Sequence, residues 1–523
     1  MRFAKLAGGL LSLVIWGISA CPAIAAPGDL DTSFGSGGKS EITTFKSELV
    51  SDVVLQQDGK ILLSGTLAGP SNEDIFVARL VAPQGTLDTS YGLGTGASRL
   101  DFGGADIGGG LVLQADGKID VSGQGTTTGP GGGVRVVAAQ LLNPQGTLDP
   151  GFGGGTGFLA SRYDPLGTSG DQDASFAAAK QGSNLIVAGV SAHGGATDMA
   201  VARVLNPAGA FDSGFASGGT VKLIDFGGSL DIAHSVALAP DGKIVVAGVT
   251  GPTLTSIGVA RLTANGDLDN SFNGNGKATV PGTVGALAVQ PDGKVIVGGS
   301  SGGDFTVARF NTNGTLDQTF GSGGRASVNF GTGADTVNDI AVQPDGKIVL
   351  AGASSGFAVA RLQPNGSLDT TFGTSGKTSV AFRGPDSGQR VALQPDGKIV
   401  VAGVGGAIPN SDLAIARLQG DPGGSAAANA KCAGKKATII GTNAKDKLKG
   451  TRKRDVIVGL GGKDTIKGLK GNDLICGGKG KDRIFGGPGN DTLLGQQGND
   501  FLKGGPGRKD KVKGGAGKDV QKP

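Results

Sequence analysis

The sequence predicts an all-β protein, a seven-bladed β-propeller followed by a parallel β-roll. Three observations carry that reading. A block built around an LD dipeptide recurs seven times between residues 28 and 420, at steps of 57, 61, 63, 57, 48 and 52. A nine-residue block then recurs nine times from Gly441 to Lys522. Finally, 101 of the 523 residues are Gly with no three-residue period, which implies many tight turns rather than collagen.

The chain opens on a secretory signal pattern. Arg2 and Lys5 precede an apolar run from Leu6 to Ala20, and Ala23-Ile24-Ala25 forms a small-residue cleavage site. Residues 1–25 are therefore read as a signal peptide, and the protein as secreted or held at the cell surface. The run is short for a membrane span of ~20 residues. Ile18-Ser19-Ala20-Cys21 leaves a variant open, lipidation at Cys21. No later segment is long and apolar enough to span a membrane, and the only Trp, Trp16, falls in the signal.

Charge divides the chain. Residues 26–430 carry 24 Lys and Arg against 35 Asp and Glu, whereas residues 431–523 carry 22 against 9. The net values, −11 and +13, mark two domains of opposite sign. The expected boundaries are 26–420 for the propeller, 421–430 for a Pro/Gly/Ser/Ala-rich linker and 431–523 for the roll. Beyond Cys21 only Cys432 and Cys476 remain. His193 and His234, the only His, lie far from both in sequence, which argues against a zinc site.

Within one repeat the strands are direct to read. IAVQP and KIVLAG flank Asp345-Gly346, and Asp-Gly suits a tight hairpin turn because Gly accepts positive φ. FAVARL at Phe357–Leu362 is a third strand, and the stretch after FGTSGK a fourth. Four strands per unit, seven times over, predict seven four-stranded blades whose apolar strands are buried on both faces. A solenoid or open array is the structural alternative. The combination of LQPDGKIVVAG with LDxxFGxxG resembles the delta-60 repeat, a bacterial β-propeller family. That resemblance covers about residues 28–420 and implies a fold but no agreed activity.

The repeated Arg and Asp read as scaffold. Arg79, Arg203, Arg261, Arg309, Arg361 and Arg417 recur with the LD aspartates, and unit two has Gln140 instead. A catalytic site breaks a repeat, whereas scaffold residues follow it. The expected role is an Arg–Asp pair tying the end of one blade to the start of the next. The enzyme search finds little. His193 is read in a loop of unit three and His234 before a blade strand, and neither has a Ser or Cys motif nearby. No H-E-x-x-H occurs, and the G-x-S-x-G matches, within Gly298–Gly303 and at Gly352–Gly356, recur with the repeat between two strand runs rather than opening a helix as a nucleophile elbow does.

In the tail, Gly occupies position one of every nonapeptide, and position four of the last seven. Position eight is apolar in eight units: Leu448, Ile457, Ile466, Ile475, Ile484, Leu493, Leu502 and Val512. Position six is Asp446, Asp455, Asp464, Asp473, Asp482, Asp491, Asp500 and Asp519, with Asp510 displaced by one inserted residue. Those nine Asp are all the acids of the tail. An acid confined to one phase points to a ligand rather than a solvated face.

This pattern, G-G-x-G-x-D-x-U-x, resembles the RTX calcium-binding nonapeptide. The resemblance implies a parallel β-roll in which six residues turn, three form a strand, and two units complete a coil. Turns two units apart then stack, so Asp446, Asp464, Asp482, Asp500 and Asp519 share one edge and Asp455, Asp473, Asp491 and Asp510 the other. All nine are candidate Ca2+ ligands through their side chains. The turn carbonyls of Gly462, Gly471, Gly480, Gly489 and Gly498 are further candidates, since Ca2+ takes six to eight hard oxygens at ~2.3–2.6 Å.

Departures are visible. Ala444 and Lys453 replace the fourth-position Gly in units one and two, and Lys463, Lys481, Arg508 and Lys518 lie at or near the turns. Asp464, Asp473, Asp482, Asp491 and Asp500 are the strongest ligands. Cys432 to Ile440 continues the register, with Ala437 in the Asp position, and reads as an N-terminal cap. In an ideal roll Cys432 and Cys476 lie about two strand spacings of ~4.8 Å apart, so a disulfide requires the cap to fold back.

The leading functional expectation is an exported calcium-binding protein with a non-catalytic propeller as interaction platform, its ligand unknown. One alternative is a secreted hydrolase or lyase with its site on the propeller. Another is a basic tail that binds an anionic cell-surface polymer. Nucleic acid is disfavoured because Phe485 and Phe501 are the tail's only aromatics.

Overall fold

The computed structural model describes residues 25–68, 72–127, 133–163, 172–193, 195–217, 219–228, 230–331, 333–406, 411–421, 430–441, 446–507 and 509–522. The expected signal peptide up to Ile24, with Trp16 and Cys21, and most of the expected linker lie outside them.

The repeats build a seven-bladed propeller. The sixth blade is representative, with strands Thr336–Val342, Ile348–Ala353, Phe357–Leu362 and Lys377–Val380 paired antiparallel in that order. Gly346 has φ 84°, as its place in the turn requires. Strand Phe357–Leu362 is buried along its whole length. Phe357 and Val359 pack with Val401 and Ala414 of the next blade. Ala358, Ala360 and Leu362 pack with Ile296 and Val307 of the preceding one. Two dry faces explain why these strands show no polar alternation.

Repeat and blade are out of phase by one strand. A repeat counted from LD segment to ARL strand is not one blade. Instead, the LD segment and the strand after it complete the blade of the preceding ARL strand. In the first blade Leu80 pairs with Leu87, and Ile75 with Leu100. The first LD segment has no blade before it, so its strand joins the last. Lys39 lies opposite Ala416, while further along the same strand Val50 lies opposite Gly65. One strand, Lys39–Leu55, therefore closes the ring and leaves neither blade a free edge there.

The same offset corrects the Arg–Asp pairs, which lie within a blade. Arg79, Arg261 and Arg361 each place Nε 2.8 Å from Asp88, Asp269 and Asp369 respectively. The far side of the guanidinium makes the link between blades. Nη1 of Arg203 donates to the Ala264 carbonyl at 3.1 Å, and that of Arg309 to the Pro364 carbonyl. The Phe of the LDxxF motif stacks beneath, as Phe372 does 4.8 Å from Arg361. The DGK lysine adds a second cation, Lys294 at 2.8 Å from Asp317. In unit two Gln140 turns to Asp120 at 2.7 Å, and Asp149 is held by Lys118 and by the Gly151 amide at 2.8 Å, with no guanidinium.

The tail forms two parallel sheets. Leu448 pairs with Ile466, Ile466 with Ile484, and Ile457 with Ile475, all 18 residues apart, so two nonapeptides make one coil. Ile457, Ile466, Ile475, Ile484, Leu493 and Leu502 are fully buried between the sheets. In the last unit Gln521 takes this position, opposite Leu502.

The end of the cap keeps its predicted register, but its start leaves the roll. Only Ile439–Ile440 join the roll, pairing with Ile457 and Val458. Residues before them form an antiparallel hairpin, Lys431–Cys432 with Lys435–Lys436. The hairpin folds onto the outer face of one sheet and buries Cys432 against Val458, Leu474 and Cys476. Val458, Leu474 and Cys476 make that part of the face apolar and in need of a cover, which is the physical reason for the fold-back. Cys432 and Cys476 are joined as a disulfide with Cα atoms 5.6 Å apart.

Candidate metal centre

Each position-six Asp ends its turn just before a strand, and strand stacking aligns the turns. The two predicted edges form. On one, Oδ1 of Asp464, Asp482, Asp500 and Asp519 each accepts the backbone N–H of the Asp one coil earlier, at 2.9 Å. On the other, Asp473, Asp491 and Asp510 do the same at 2.8 Å. The inserted residue of unit eight is absorbed within its turn, so Asp510 keeps its place in the ladder.

The second oxygen of each carboxylate is left over. Oδ2 of Asp464, Asp473, Asp482, Asp491, Asp500 and Asp510 is buried and has no hydrogen-bond donor. Each points at the position-one Gly of its own unit. A Cβ built on Gly468 would lie 2.5 Å from Asp473 Oδ2 and 2.6 Å from the Gly486 carbonyl. That cradle of a carboxylate and a position-one carbonyl is a feature the sequence reading missed. The invariant position-one Gly is its signal.

Burial, and secondarily the stacked Asp neighbours, push the carboxyls of Asp464 and Asp473 up to about 6. Asp482 rises to about 6 in the same way, through burial and then Asp500. Asp491 and Asp500 shift in the same direction for the same causes. Like-charge repulsion is present, but loss of water is the larger effect.

The donor set fits calcium. The orphaned atoms are hard anionic oxygens, the type Ca2+ prefers, and a buried carboxylate without a partner is costly. A bound ion supplies the positive charge that these oxygens lack. The five predicted carbonyls form columns. A Cβ on Gly480 would lie 1.6 Å from the Gly462 carbonyl, and one on Gly498 1.6 Å from that of Gly480. Gly480 also has φ 124°, so both space and conformation exclude a side chain.

Unit two is different. Asp455 Oδ2 accepts from the Thr451 amide at 2.6 Å and from its hydroxyl at 2.9 Å. Thr451 thus supplies the donors that the later turns lack. In unit one Ala444 lies outside the described residues.

A family model described as a domain of unknown function (DUF5122) β-propeller matches residues 56–91, 114–152, 239–272, 290–320, 343–372 and 394–421. A second, the RTX calcium-binding nonapeptide repeat, matches residues 440–475 and 477–508. The chain is a β-propeller joined to RTX calcium-binding repeats. No curated protein matches it. Among solved structures, virginiamycin B lyase from Staphylococcus aureus is 8% identical, covering 73% of this chain and 98% of its own at TM-score 0.44. Sqt1 from Chaetomium thermophilum is 14% identical, covering 74% and 91% at 0.39. Polysaccharide lyase Uly1 is 12% identical, covering 71% and 89% at 0.40. At these scores the likenesses carry no argument about activity.

The propeller holds an axial cavity of about 550 Å³ lined from all seven inner strands, with Ser51, Phe176, His234, Asn338 and Arg390 among its walls. His234 lies inside inner strand Asp231–Leu238, not before it as the sequence reading has it. Burial, then the charge of Arg390, holds its imidazole down at about 4, and Nε2 has no partner. His193 ends strand Asn184–His193 opposite Ala196 rather than lying in a loop.

Two acidic trios also escaped the sequence reading, Asp74 with Asp101 and Asp106, and Asp198 with Asp225 and Asp231. Scaffold contacts hold them, since Arg99 pairs with Asp74 and the Phe226 amide donates to Asp231 at 2.8 Å. No helix among the described residues is long and apolar enough to cross a membrane.

Proposed function

We propose that this chain is an exported calcium-binding protein whose RTX roll folds on calcium and whose propeller is a non-catalytic interaction platform. The observation that carries the reading is the set of six buried carboxylate oxygens without a donor. We assign Asp464, Asp473, Asp482, Asp491, Asp500 and Asp510 as ligands, with Asp446 and Asp519 at the ends of the stack. Asp455 has the weakest claim because Thr451 already satisfies it. Carbonyls of Gly462, Gly471, Gly480, Gly489 and Gly498 supply further oxygens.

Roughly one interior apolar residue per nine cannot offset a backbone ordering cost of ~1–2 kcal/mol per residue. Ion binding then becomes the folding step of the roll. Export is supported by the signal pattern of residues 1–25, and the Cys432–Cys476 disulfide suits an oxidising compartment. The product is secreted or held at the cell surface, with domains at 26–420 and 431–523.

The axial cavity favours a second reading, a secreted hydrolase or lyase. Against it, Nε2 of His234 touches no nucleophile. The test is a calcium titration of the full chain, followed by far-ultraviolet circular dichroism as a difference from the chelated protein. Cooperative gain of strand signal is expected. Full strand content in excess chelator would overturn the reading.

A further inference from the structure

We propose that the uncovered outer face of the second roll sheet docks a linear acidic polysaccharide, and that calcium controls this by folding the roll. The proposal rests on the calcium-folding reading above. This sheet is built from Lys447–Lys449, Thr465–Lys467, Arg483–Phe485, Phe501–Lys503 and Val520–Lys522. The middle residue of each strand faces the partner sheet, so the outer two face outward.

Two rows result, in register. One runs Lys449, Lys467, Phe485, Lys503, Lys522, and the other Lys447, Thr465, Arg483, Phe501, Val520. The six Lys and Arg side chains are all exposed. At ~4.8 Å between strands the rows extend for roughly 19 Å.

No acid lies on this face, because every Asp of the tail belongs to a turn. Lys449 stands directly opposite Lys467, and Lys503 opposite Lys522. Like charges on adjacent strands destabilise a sheet, and no acid among the described residues of this face pairs with them. A polymer with anions in line would.

The aromatic pair decides between polymers. Arg483 lies 5.9 Å from the Phe485 ring and 5.3 Å from that of Phe501, and Lys522 lies 5.9 Å from Phe501. The rings are thus engaged with cations, and the Arg483 guanidinium is of the type that makes bidentate contact with a carboxylate or sulfate. They do not offer the open faces on which single-stranded nucleic acid stacks. An apolar set for insertion into a membrane is also missing, with Val520 the one large exposed hydrophobe of the roll among the described residues. A second copy would be repelled by its own charge. The other sheet's outer face is apolar at Val458, Leu474 and Cys476, where the Lys431–Lys436 hairpin covers it, and the exposed cations flanking its interior stripe, Lys511 and Lys513, lie on one strand only, so they form no row across it.

The test measures retention of the full chain on immobilised chondroitin sulfate with calcium present. Duplex DNA and phosphatidylserine vesicles serve as the other arms. One variant carries Lys467→Glu, Arg483→Glu and Lys503→Glu. A control of equal charge change carries Lys431→Glu, Lys435→Glu and Lys436→Glu on the hairpin. The face variant is expected to lose about tenfold or more in affinity and the control less than about threefold. The control should keep the wild-type calcium midpoint, and the face variant should keep or lower it, since two of its substitutions turn like-charge pairs into opposite ones. Equal losses in the two variants, or tighter retention on DNA or vesicles, would overturn the proposal. A wild-type chain that gains strand with calcium but is not retained overturns only the docking face. One that gains no strand overturns the folding reading beneath it.

Discussion

Arg417 places its Nε 2.7 Å from Oδ2 of Asp31, a residue 386 positions earlier in the chain. Lys398 stands 3.1 Å from the same oxygen, and the Arg417 guanidinium lies 4.7 Å from the Phe34 ring. The same clasp recurs in other blades between residues eight or nine apart, as at Arg261–Asp269 and Arg79–Asp88. Only in the last blade does it join the two ends of the propeller.

Replacing Arg417 by Ala leaves Asp31 buried without its guanidinium. Loss of one partner of a buried pair costs about 3–5 kcal/mol. Thermal unfolding of Arg417→Ala should therefore show a clear drop in midpoint. Proteolysis should then begin in the N-terminal strand Lys39–Leu55, which the clasp retains. First cuts elsewhere in the propeller would count against this view of ring closure.

The clasp also sets an acid limit. Burial alone would raise the Asp31 carboxyl, but the Ser33 hydroxyl, Lys398 and Arg417 together hold it at about 2. Burial at Asp88 is likewise outweighed by Ser90, Lys60 and Arg79, giving about 2. A folded pKa below the unfolded value of ~3.9 gives stability that is present above that value and lost as pH falls through the folded one. The melting temperature of the propeller should thus fall between about pH 4 and pH 2. Asp31→Asn should flatten part of that fall, and an unchanged slope in the variant would refute the assignment.

In the roll, Asp482 accepts from Asp464 below and donates its own amide to Asp500 above. Asp482→Ala therefore removes one buried oxygen and breaks the ladder at its middle. Asp446→Ala touches only the end, in a unit without the fourth-position Gly. The calcium midpoint of strand formation should rise more for Asp482→Ala than for Asp446→Ala. Equal shifts would show that the turns do not act as a stack.

The disulfide supports the same end of the roll. It closes a span of 44 residues, for which chain entropy predicts about 4 kcal/mol of stabilisation. Reduction, or Cys432→Ser, should free the hairpin from Val458 and Leu474 and raise the calcium midpoint. If a reduced chain titrates like the oxidised one, the hairpin is not part of the folding unit.

Much of the site was legible because the tail repeats a single phase. Asp at position six and an apolar residue at position eight fix which side chains face a turn and which face the interior. The pairing of Ile466 with Ile484 follows directly from that period. Less legible was the role of Thr451, since a Thr at position two carries no periodic signal. The cradle beside Gly468 was missed for a different reason. It is formed by a carbonyl from another coil, and backbone atoms leave no mark in a sequence.

By itself the sequence determined the number of blades, the nonapeptide roll, its two Asp edges and its interior stripe. Each of these depends on local periodicity, which successive residues must satisfy one after another. Tertiary structure decided where the ring closes, why unit and blade differ by one strand, and how Cys432 reaches Cys476. It also decided which Asp oxygens lack a donor. Those features join residues from 18 to several hundred positions apart. Contacts at such distances depend on which surfaces remain to be covered once the local elements have formed, and spacing along the chain does not encode that.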